Sequence, residues 1–203
     1  DGFLTRLGYT LVWVGWQFDV RRENGLLSID IPSAQGVSGL VRAEFTAGER
    51  STDETVADIA GYPPAQADAA DTTLTVRDGP FGKPETIGHD RFRLTGNVVH
   101  LDGGFQPGRT YEIAFRPAKL PVVGLGMAAF RDVATWVKHA PDALARAPQA
   151  ITFGSSQSGR FLRAFFYYGF NTDEHGAQVF DGAMVHIAGS GRLSMNSRGD
   201  RKS

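Results

Sequence analysis

The sequence predicts an α/β fold in which a parallel sheet core is interrupted by a β-rich insertion. Residues 1–20 and 118–203 carry apolar runs that alternate with helical patterns, an order typical of parallel pairing. Residues 21–117 instead show short alternating runs between clusters of Gly, Pro and Asp. We therefore expect a partial core formed by 1–20 and 118–203, with 21–117 as an inserted β-rich subdomain.

The composition of the chain excludes several classes of function. A chain of 203 residues with 41% hydrophobic content can bury a sizeable core. The net charge of −1 comes from mixed acidic and basic residues, so nucleic acid is not an expected partner. No apolar run reaches the length of a membrane span, and the absence of cysteine excludes disulfides and thiolate chemistry.

The first twenty residues predict the end of a helix, an interior strand and a loop. Gly8 separates a helical pattern at 1–7 from the run 9–14, which is too apolar for a half-exposed strand. Trp16 and Gln17 follow at the edge of the predicted sheet, where open α/β sheets place their ligands. We expect these two residues to line a pocket; the alternative is a Trp that covers core surface.

Residues 21–117 predict the strands of a separate β layer. In each run, β-branched and aromatic residues alternate with polar ones. The predicted strands are 26–31, 40–45, 73–77, 92–94, 98–101 and 111–115. Residues 51–70 show no clear period and predict a long surface loop, to which we assign no chemistry.

Residues 118–203 predict the return to the main sheet. Apolar residues recur at three- and four-residue steps over 127–138, which indicates an amphipathic helix. The runs 150–153 and 179–187 predict two buried strands, and an apolar stripe that starts at Phe161 predicts a helix between them. Because strand, helix and strand follow in this order, we expect parallel pairing.

The residues around Ser156 predict a nucleophilic serine on a strand-to-helix turn. Such a turn holds the serine in a strained conformation, which requires small residues two before it and two or three after it; Gly154 and Ser158 hold those places. The first amides of the helix point at the hydroxyl, so we expect the Gln157 N–H to stabilise an oxyanion. Ser155 and Ser158 are rival nucleophiles without a glycine two residues before them. An ordinary strand-to-helix connection is the alternative.

Five stretches of the sequence share the pattern of one protein family. They are Gly-Tyr-Thr-Leu-Val-Trp-Val-Gly-Trp-Gln-Phe-Asp at 8–19, Gly-Gly-Phe-Gln-Pro-Gly-Arg-Thr-Tyr-Glu at 103–112, Val-Gly-Leu-Gly-Met-Ala-Ala-Phe-Arg-Asp at 123–132, the segment 153–163 that contains the strand-to-helix turn, and Phe-Asp-Gly-Ala-Met-Val-His-Ile-Ala-Gly at 180–189. On these stretches the sequence resembles the α/β-hydrolase superfamily, and within it a group of large α/β-hydrolase domain proteins. The resemblance implies hydrolysis through an acyl-enzyme, with Ser156 at the nucleophile position and the Gln157 amide in the oxyanion hole.

The sequence differs from the pattern of that superfamily at both ends. There the second oxyanion donor lies on an earlier strand and loop, while the acid and the histidine follow later strands in the order serine, acid, histidine. The resemblance therefore implies that these residues lie outside this sequence, and that the chain is a fragment with little or no activity. The polar tail at 196–203 also differs from the family's continuation.

No histidine of the sequence is assigned as the base. His89 and His100 lie in the predicted insertion, His139 follows a helix, and His175 lies in a polar loop. His186 lies near the end of a main-sheet strand and could approach the pocket. We prefer a hydrogen-bonded structural role for His186, because the family's base follows a later strand.

Four other charged residues have two interpretations each. Asp19 and Asp181 either orient a histidine or bond to the amides of a loop and a strand start. Arg160 and Arg163 either bind a carboxylate substrate or lie on an exposed helical face. No metal-ligand spacing and no phosphate-binding loop is present, so we expect no cofactor.

These observations together predict a serine hydrolase that cleaves an ester or related acyl bond of a small molecule. Ser156 attacks, the Gln157 N–H holds the oxyanion, and water releases the acid. The alternative is a non-catalytic binding protein, in which the β-rich insertion binds a carbohydrate or a partner on a remnant hydrolase scaffold. The sequence leaves the substrate, the compartment and the oligomeric state open.

Overall fold

The computed structural model describes residues 2–20, 25–66, 69–145, 147–191 and 193. Within these residues the chain is mixed α/β, and most of its strand pairs are antiparallel. The chain divides into two compact units. Unit 1 is formed by the described residues of 1–30 and 123–196, and unit 2 by those of 31–122.

Unit 2 consists mainly of antiparallel strands. Its strands are β1 (Val41–Thr46), β2 (Asp53–Thr55), β3 (Thr73–Asp78), β4 (Glu85–Ile87), β5 (Phe92–Thr95), β6 (Val98–Leu101) and β7 (Arg109–Phe115). They form a four-stranded sheet in the order β1-β7-β3-β4 and a three-stranded sheet in the order β2-β6-β5. Short 3-10 turns at Ala57–Ile59 and His89–Arg91 precede β3 and β5.

The core of unit 2 follows from the alternation of apolar and polar residues in its strands. Leu74 of β3 and Leu94 of β5 are fully buried, while their neighbours along each strand point to the other face. Residues of both sheets belong to one apolar cluster. At its centre Phe105 packs edge-on against the Tyr111 ring, and the Tyr111 hydroxyl accepts a hydrogen bond of 2.8 Å from the Gln106 N–H.

Most of the strand predictions for this region are confirmed. The predicted strands at 40–45, 73–77, 92–94, 98–101 and 111–115 correspond to β1, β3, β5, β6 and β7. The prediction of a strand at 26–31 is wrong, and the surface loop predicted at 51–70 contains β2 and a 3-10 turn. The boundaries of an inserted subdomain, at 21–117, stay a prediction.

Unit 1 combines helices with one parallel strand pair. Its elements in the described residues are α1 (Phe3–Arg6), α2 (Leu125–His139), β8 (Ile151–Ser155), α3 (Gln157–Tyr167) and β9 (Gly182–His186). β8 and β9 pair in parallel, in a register that runs from Ile151 opposite Gly182 to Ser155 opposite His186. The predicted helix at 127–138 and the predicted parallel pairing of these two strands are confirmed. The prediction that both strands are buried is wrong, because β9 is mostly exposed and β8 alternates between exposed and buried residues.

The core of unit 1 is an aromatic cluster between α2 and α3. Phe130 of α2 packs edge-on against Phe161 and Phe165 of α3, with ring centroids 5.4 Å apart in both pairs. Phe130 also stacks on Phe180 at 5.0 Å, and Trp16 stacks on Phe161 at 4.5 Å. Each such pair contributes about 0.5–1.5 kcal/mol beyond the apolar area that it buries. The cluster therefore fixes α3, the helix that follows Ser156, in unit 1.

A buried lysine ties the end of α2 to the two strands. Lys138 Nζ donates to the carbonyls of Gln178 and Val179 at 3.1 Å and to the Asp181 carboxylate at 3.0 Å. Asp181 in turn accepts a hydrogen bond of 2.8 Å from the Ala150 N–H. This N–H and the Lys138 ammonium lower the pKa of Asp181. The starts of β8 and β9 are thus held together by one ion pair.

The prediction of an interior strand at 9–14 is wrong. These residues are mostly exposed and form no strand, and the Trp13 side chain is 72% exposed. A strand forms only where a neighbour accepts its backbone hydrogen bonds, and none of the described strands pairs with this segment. The apolar composition of 9–14 does not by itself provide a pairing partner.

Candidate active site

The turn between β8 and α3 holds Ser156 in a strained backbone conformation. Its φ is 54° and its ψ is −115°, a region that costs a residue with a side chain about 1–3 kcal/mol. Hydrogen bonds fix the turn on both sides. The Ser156 N–H donates to the His186 carbonyl at 3.0 Å, and the Ser156 carbonyl accepts from the Arg160 N–H at 2.9 Å. The surrounding backbone therefore imposes the conformation of Ser156.

Two glycines make this sharp turn possible. A Cβ added to Gly154 would lie 2.5 Å from the Ser158 carbonyl oxygen, and one added to Gly159 would lie 2.7 Å from the His186 carbonyl oxygen. Both distances are far inside van der Waals contact. The sequence pattern indicates Gly154. It does not single out Gly159, although a glycine three residues after the serine is the signal that could have found it.

The Ser156 hydroxyl is exposed and is not used to cap the helix. Ser156 is the N-cap residue of α3. N-cap serines usually accept a hydrogen bond from the first turn of the helix, but the Ser156 side chain makes no capping hydrogen bond. Gln157 is the first residue of the helix, so its N–H has no partner within the helix. An accessible hydroxyl and an amide that has no partner within the helix therefore lie on consecutive residues at the positive end of α3.

His186 contacts the serine next to Ser156. His186 Nδ1 lies 3.2 Å from Ser155 Oγ, as the strand register places these two residues opposite each other. Ile187, directly after β9, also has a positive φ, of 43°. In the described part of unit 1, no histidine side chain hydrogen-bonds the Ser156 hydroxyl. The contact with Ser155 agrees with the preferred structural interpretation of His186.

A cleft of about 180 Å³ opens beside the start of α3. Its described lining residues are Val14, Gly15, Trp16, Gln17, Val20, Leu27, Gln157 and Ser158. The prediction that Trp16 and Gln17 line a pocket is confirmed. The alternative interpretation of Trp16 also holds, because the same ring stacks on Phe161 of the core.

The loop that carries Gln17 is held against α3 and α2. Gln157 Nε2 donates to Gln17 Oε1 at 3.5 Å, and the Gln17 carbonyl accepts a bond of 3.1 Å from the Ile29 N–H. Gly126 of α2 lies so close to the Trp16 carbonyl that a Cβ there would overlap it. The position of Gln17 beside the turn is thus set by both backbone and side-chain contacts.

The other charged candidates have mainly structural contacts. Asp181 bonds to Lys138 and to the start of β8, as its strand-start interpretation predicts. Arg163 donates to the carbonyls of Gly189 and Ser190, in the loop after β9. Asp19 Oδ1 is buried and finds no hydrogen-bond partner in the described chain. These contacts support neither a carboxylate-binding role for Arg163 nor an orienting role for Asp181.

The described residues contain neither a metal-binding cluster nor a membrane-spanning helix. No group of three or more His, Asp or Glu side chains there is arranged to hold a metal ion. No helix there is both long enough and apolar enough to cross a lipid bilayer.

The sequence that contains this turn matches a family model. The model describes an alpha/beta hydrolase domain and covers residues 94–203, just over half of the chain. The chain belongs to the alpha/beta hydrolase family. This confirms the resemblance seen in the sequence, and the match extends through the tail at 196–203, which lies outside the described residues. Searches of the curated proteins and of the solved structures found no match.

Membership of this family makes hydrolysis the general class of reaction for the chain. The matched residues include β8, Ser156, α3 and β9. The roles of Ser156 as nucleophile and of Gln157 as oxyanion donor stay predictions.

Proposed function

We propose that the hydrolase is a serine hydrolase that cleaves an ester or a related acyl bond of a small molecule, with Ser156 as its nucleophile. The observation that carries this proposal is the strained, exposed and uncapped Ser156 at the strand-to-helix turn. Strain of this size persists only where the surrounding structure enforces it, and such residues cluster at active sites. An ordinary strand-to-helix connection does not require such backbone strain.

The proposed reaction has two steps. Ser156 Oγ attacks the carbonyl carbon of the substrate and gives up its proton to a base, and the alcohol leaves with a proton to yield an acyl-enzyme. Water then attacks the acyl carbon, which releases the carboxylic acid and restores the serine hydroxyl. In both steps the Gln157 N–H donates to the oxygen that becomes negative. The proposal assigns the base to none of the described histidines.

The proposal extends to the architecture that carries the site. In it, β8 and β9 belong to a parallel core sheet formed by 1–20 and 118–203, with 21–117 inserted as a β-rich subdomain. α3 contacts these two strands on the face of Gly154, while Phe153 and its register partner Met184 are 63% and 59% exposed. Parallel sheets are usually covered on both faces, so this apolar face supports a larger sheet and layer around the pair.

Labelling with a fluorophosphonate probe tests the proposed nucleophile. The complete gene product is treated with the probe, and peptide mass spectrometry locates the modified residue. We expect a label on Ser156 that is lost in Ser156→Ala. The matched control is Ser155→Ala, which removes the neighbouring hydroxyl and its contact with His186 and is expected to keep the label.

Two results would contradict the proposal. One is a folded wild-type protein that takes no label, which would favour a non-catalytic binding protein. The other is a label that persists in Ser156→Ala, because the reactive group would then be another residue.

A further inference from the structure

The cleft beside Ser156 has a defined chemical character. Its walls include the apolar side chains of Val14, Trp16 and Leu27, and its polar side chains include the two amides of Gln17 and Gln157. None of its described lining residues is charged. A group that enters the cleft therefore meets apolar surface and amide hydrogen-bonding groups.

The side chain of Gln17 keeps hydrogen-bond donors for a ligand. Gln17 Oε1 accepts the bond from Gln157 Nε2. An amide carries its acceptor and its two N–H donors on different atoms, so Gln17 Nε2 keeps both donors. No partner of Gln17 Nε2 is found in the part of the chain that the structure describes. A carbonyl or hydroxyl oxygen of a ligand in the cleft would fit this donor.

A carboxylate is a poor occupant of the same cleft. A buried anion is costly unless a cation or several hydrogen bonds compensate it, and no lining cation is described. Of the two arginines of α3, Arg163 donates to backbone carbonyls of the loop after β9.

From these contacts we infer that the cleft binds an uncharged, hydrogen-bonding group of the ester substrate, and that Gln17 is the residue that selects it. The cleft disfavours a carboxylate because none of its described lining residues carries a compensating charge, and the N–H donors of Gln17 disfavour an apolar group of the same shape. This inference rests on the proposed function, because it names the substrate class of the same site.

The test compares esters that differ in one group. The acyl series consists of the 4-nitrophenyl esters of succinamic acid, succinic acid and 4-methylpentanoic acid. The alcohol series consists of the acetate esters of 3-hydroxypropanamide, 3-hydroxypropanoate and 3-methylbutanol. In each series an amide, a carboxylate and an isopropyl group of nearly equal size occupy the same place. Rates are expressed per Ser156 labelled by the fluorophosphonate probe.

In one of the two series we expect the complete gene product to prefer the amide over the carboxylate by at least about tenfold in kcat/KM. Gln17→Leu is expected to lower kcat/KM for the amide by about three- to tenfold and to raise it for the isopropyl ester. Gln17→Met keeps the length of the side chain and removes both N–H donors, so it should also lower kcat/KM for the amide relative to the isopropyl ester. The matched control, Gln35→Leu, makes the same change in unit 2 and should keep the wild-type preference.

The outcomes separate this inference from the proposed function. If the wild-type protein takes no fluorophosphonate label, the proposed function fails. If Ser156 is labelled but neither series shows an amide preference, or the ratio of kcat/KM between the amide and the isopropyl ester is unchanged in the Gln17 variants, the inference is overturned and the proposed function stands. If Gln17→Leu does not fold, Gln17→Met decides the matter by the same comparison.

Discussion

At the scale of single residues, Ser156 shows how a local conformation reports on function. Its φ of 54° and ψ of −115° form the turn between β8 and α3, and α3 begins at the next residue. The strain is offset by the packing of β8, α3 and the His186 carbonyl. Glycine at position 156 would remove both the strain and the proposed nucleophile.

Replacement of Ser156 by Gly and by Ala measures this strain. Glycine adopts a positive φ without penalty, so Ser156→Gly is expected to exceed Ser156→Ala in free energy of unfolding by about 1 kcal/mol. Urea unfolding of both variants provides the measurement. At Ser158, inside α3, the alanine variant should instead exceed the glycine variant in free energy of unfolding by about 1 kcal/mol, because alanine favours a helix. An alanine variant more stable than the glycine variant at position 156 would show that the turn is not strained.

His100 of unit 2 links two carboxylates on neighbouring elements. His100 Nδ1 lies 3.0 Å from Asp53 Oδ1, and its Nε2 lies 3.4 Å from Asp102 Oδ1. The hydrogen bond to Asp53 raises the pKa of His100, and Asp102 adds to this effect. The same hydrogen bond, with one from Thr52, lowers the pKa of Asp53. The contact stabilises the pairing of β2 with β6.

The pH dependence of stability follows from the raised pKa of His100. The contribution is fully present below the ordinary histidine pKa of about 6.5 and is lost as pH rises through the raised value. We expect the Tm of the wild-type protein to fall from pH 6.5 upward, relative to that of His100→Gln. Thermal unfolding at a series of pH values checks this. His89→Gln is the control, because His89 bonds to an uncharged group, the Ala69 carbonyl, and not to a carboxylate. Parallel Tm curves for wild type and His100→Gln would refute the assignment.

At the scale of elements, the strand, turn and helix around Ser156 depend on close backbone approaches. Gly154 and Gly159 have no room for a Cβ. Each substitution by Ala is therefore expected to lower the free energy of unfolding by about 1–3 kcal/mol, because the backbone must shift. The control, Gly48→Ala, adds its methyl group to open space and should change stability by less than about 0.5 kcal/mol. Chemical denaturation measures all three. Gly154→Ala and Gly159→Ala variants as stable as Gly48→Ala would contradict the packing described.

The contact of Lys138 in α2 with the starts of β8 and β9 is a second feature at the scale of elements. The Lys138 side chain is 7% exposed and makes three hydrogen-bonded contacts. Lys138→Met removes the donor and leaves two carbonyls without it, so we expect the free energy of unfolding to fall by about 1–3 kcal/mol. Lys83→Met, at an exposed position of unit 2, should have little effect. An equal effect of both substitutions, in urea unfolding, would show that the link contributes nothing.

The elements of unit 1 were predicted where sequence pattern and pairing agree. The helical steps of α2 and α3 and the apolar runs of β8 and β9 suffice, because each element finds its partner in the described chain. The run at 9–14 has the composition of a strand but no partner strand there. β2 was missed because Asp53–Thr55 is short and polar, so no alternation marks it.

The candidate site was predicted in part for the same reason. The position of Ser156 follows from residues within a few places of it, which a local pattern can indicate. The contact between Gln17 and Gln157 joins residues 140 positions apart, and no local pattern specifies which side chains meet. The bond between His186 and Ser155 depends on the register of β8 and β9, which becomes visible only in the folded chain.

At the scale of the whole molecule, the family match and the strained turn point to the same chemistry. The match establishes a hydrolase domain over residues 94–203, and the turn lies within it. The cleft lies beside the same turn, with the first two residues of α3 in its wall. We propose that catalysis by this domain proceeds through an acyl group on Ser156.

Trapping of the acyl-enzyme tests that claim most directly. The complete gene product is quenched in acid during turnover of 4-nitrophenyl acetate, and its peptides are analysed by mass spectrometry. We expect an acetyl group on Ser156 in the wild-type protein, and neither an acetyl group nor turnover in Ser156→Ala. Turnover that continues in Ser156→Ala, or an acetyl group on another residue of a competent intermediate, would contradict it.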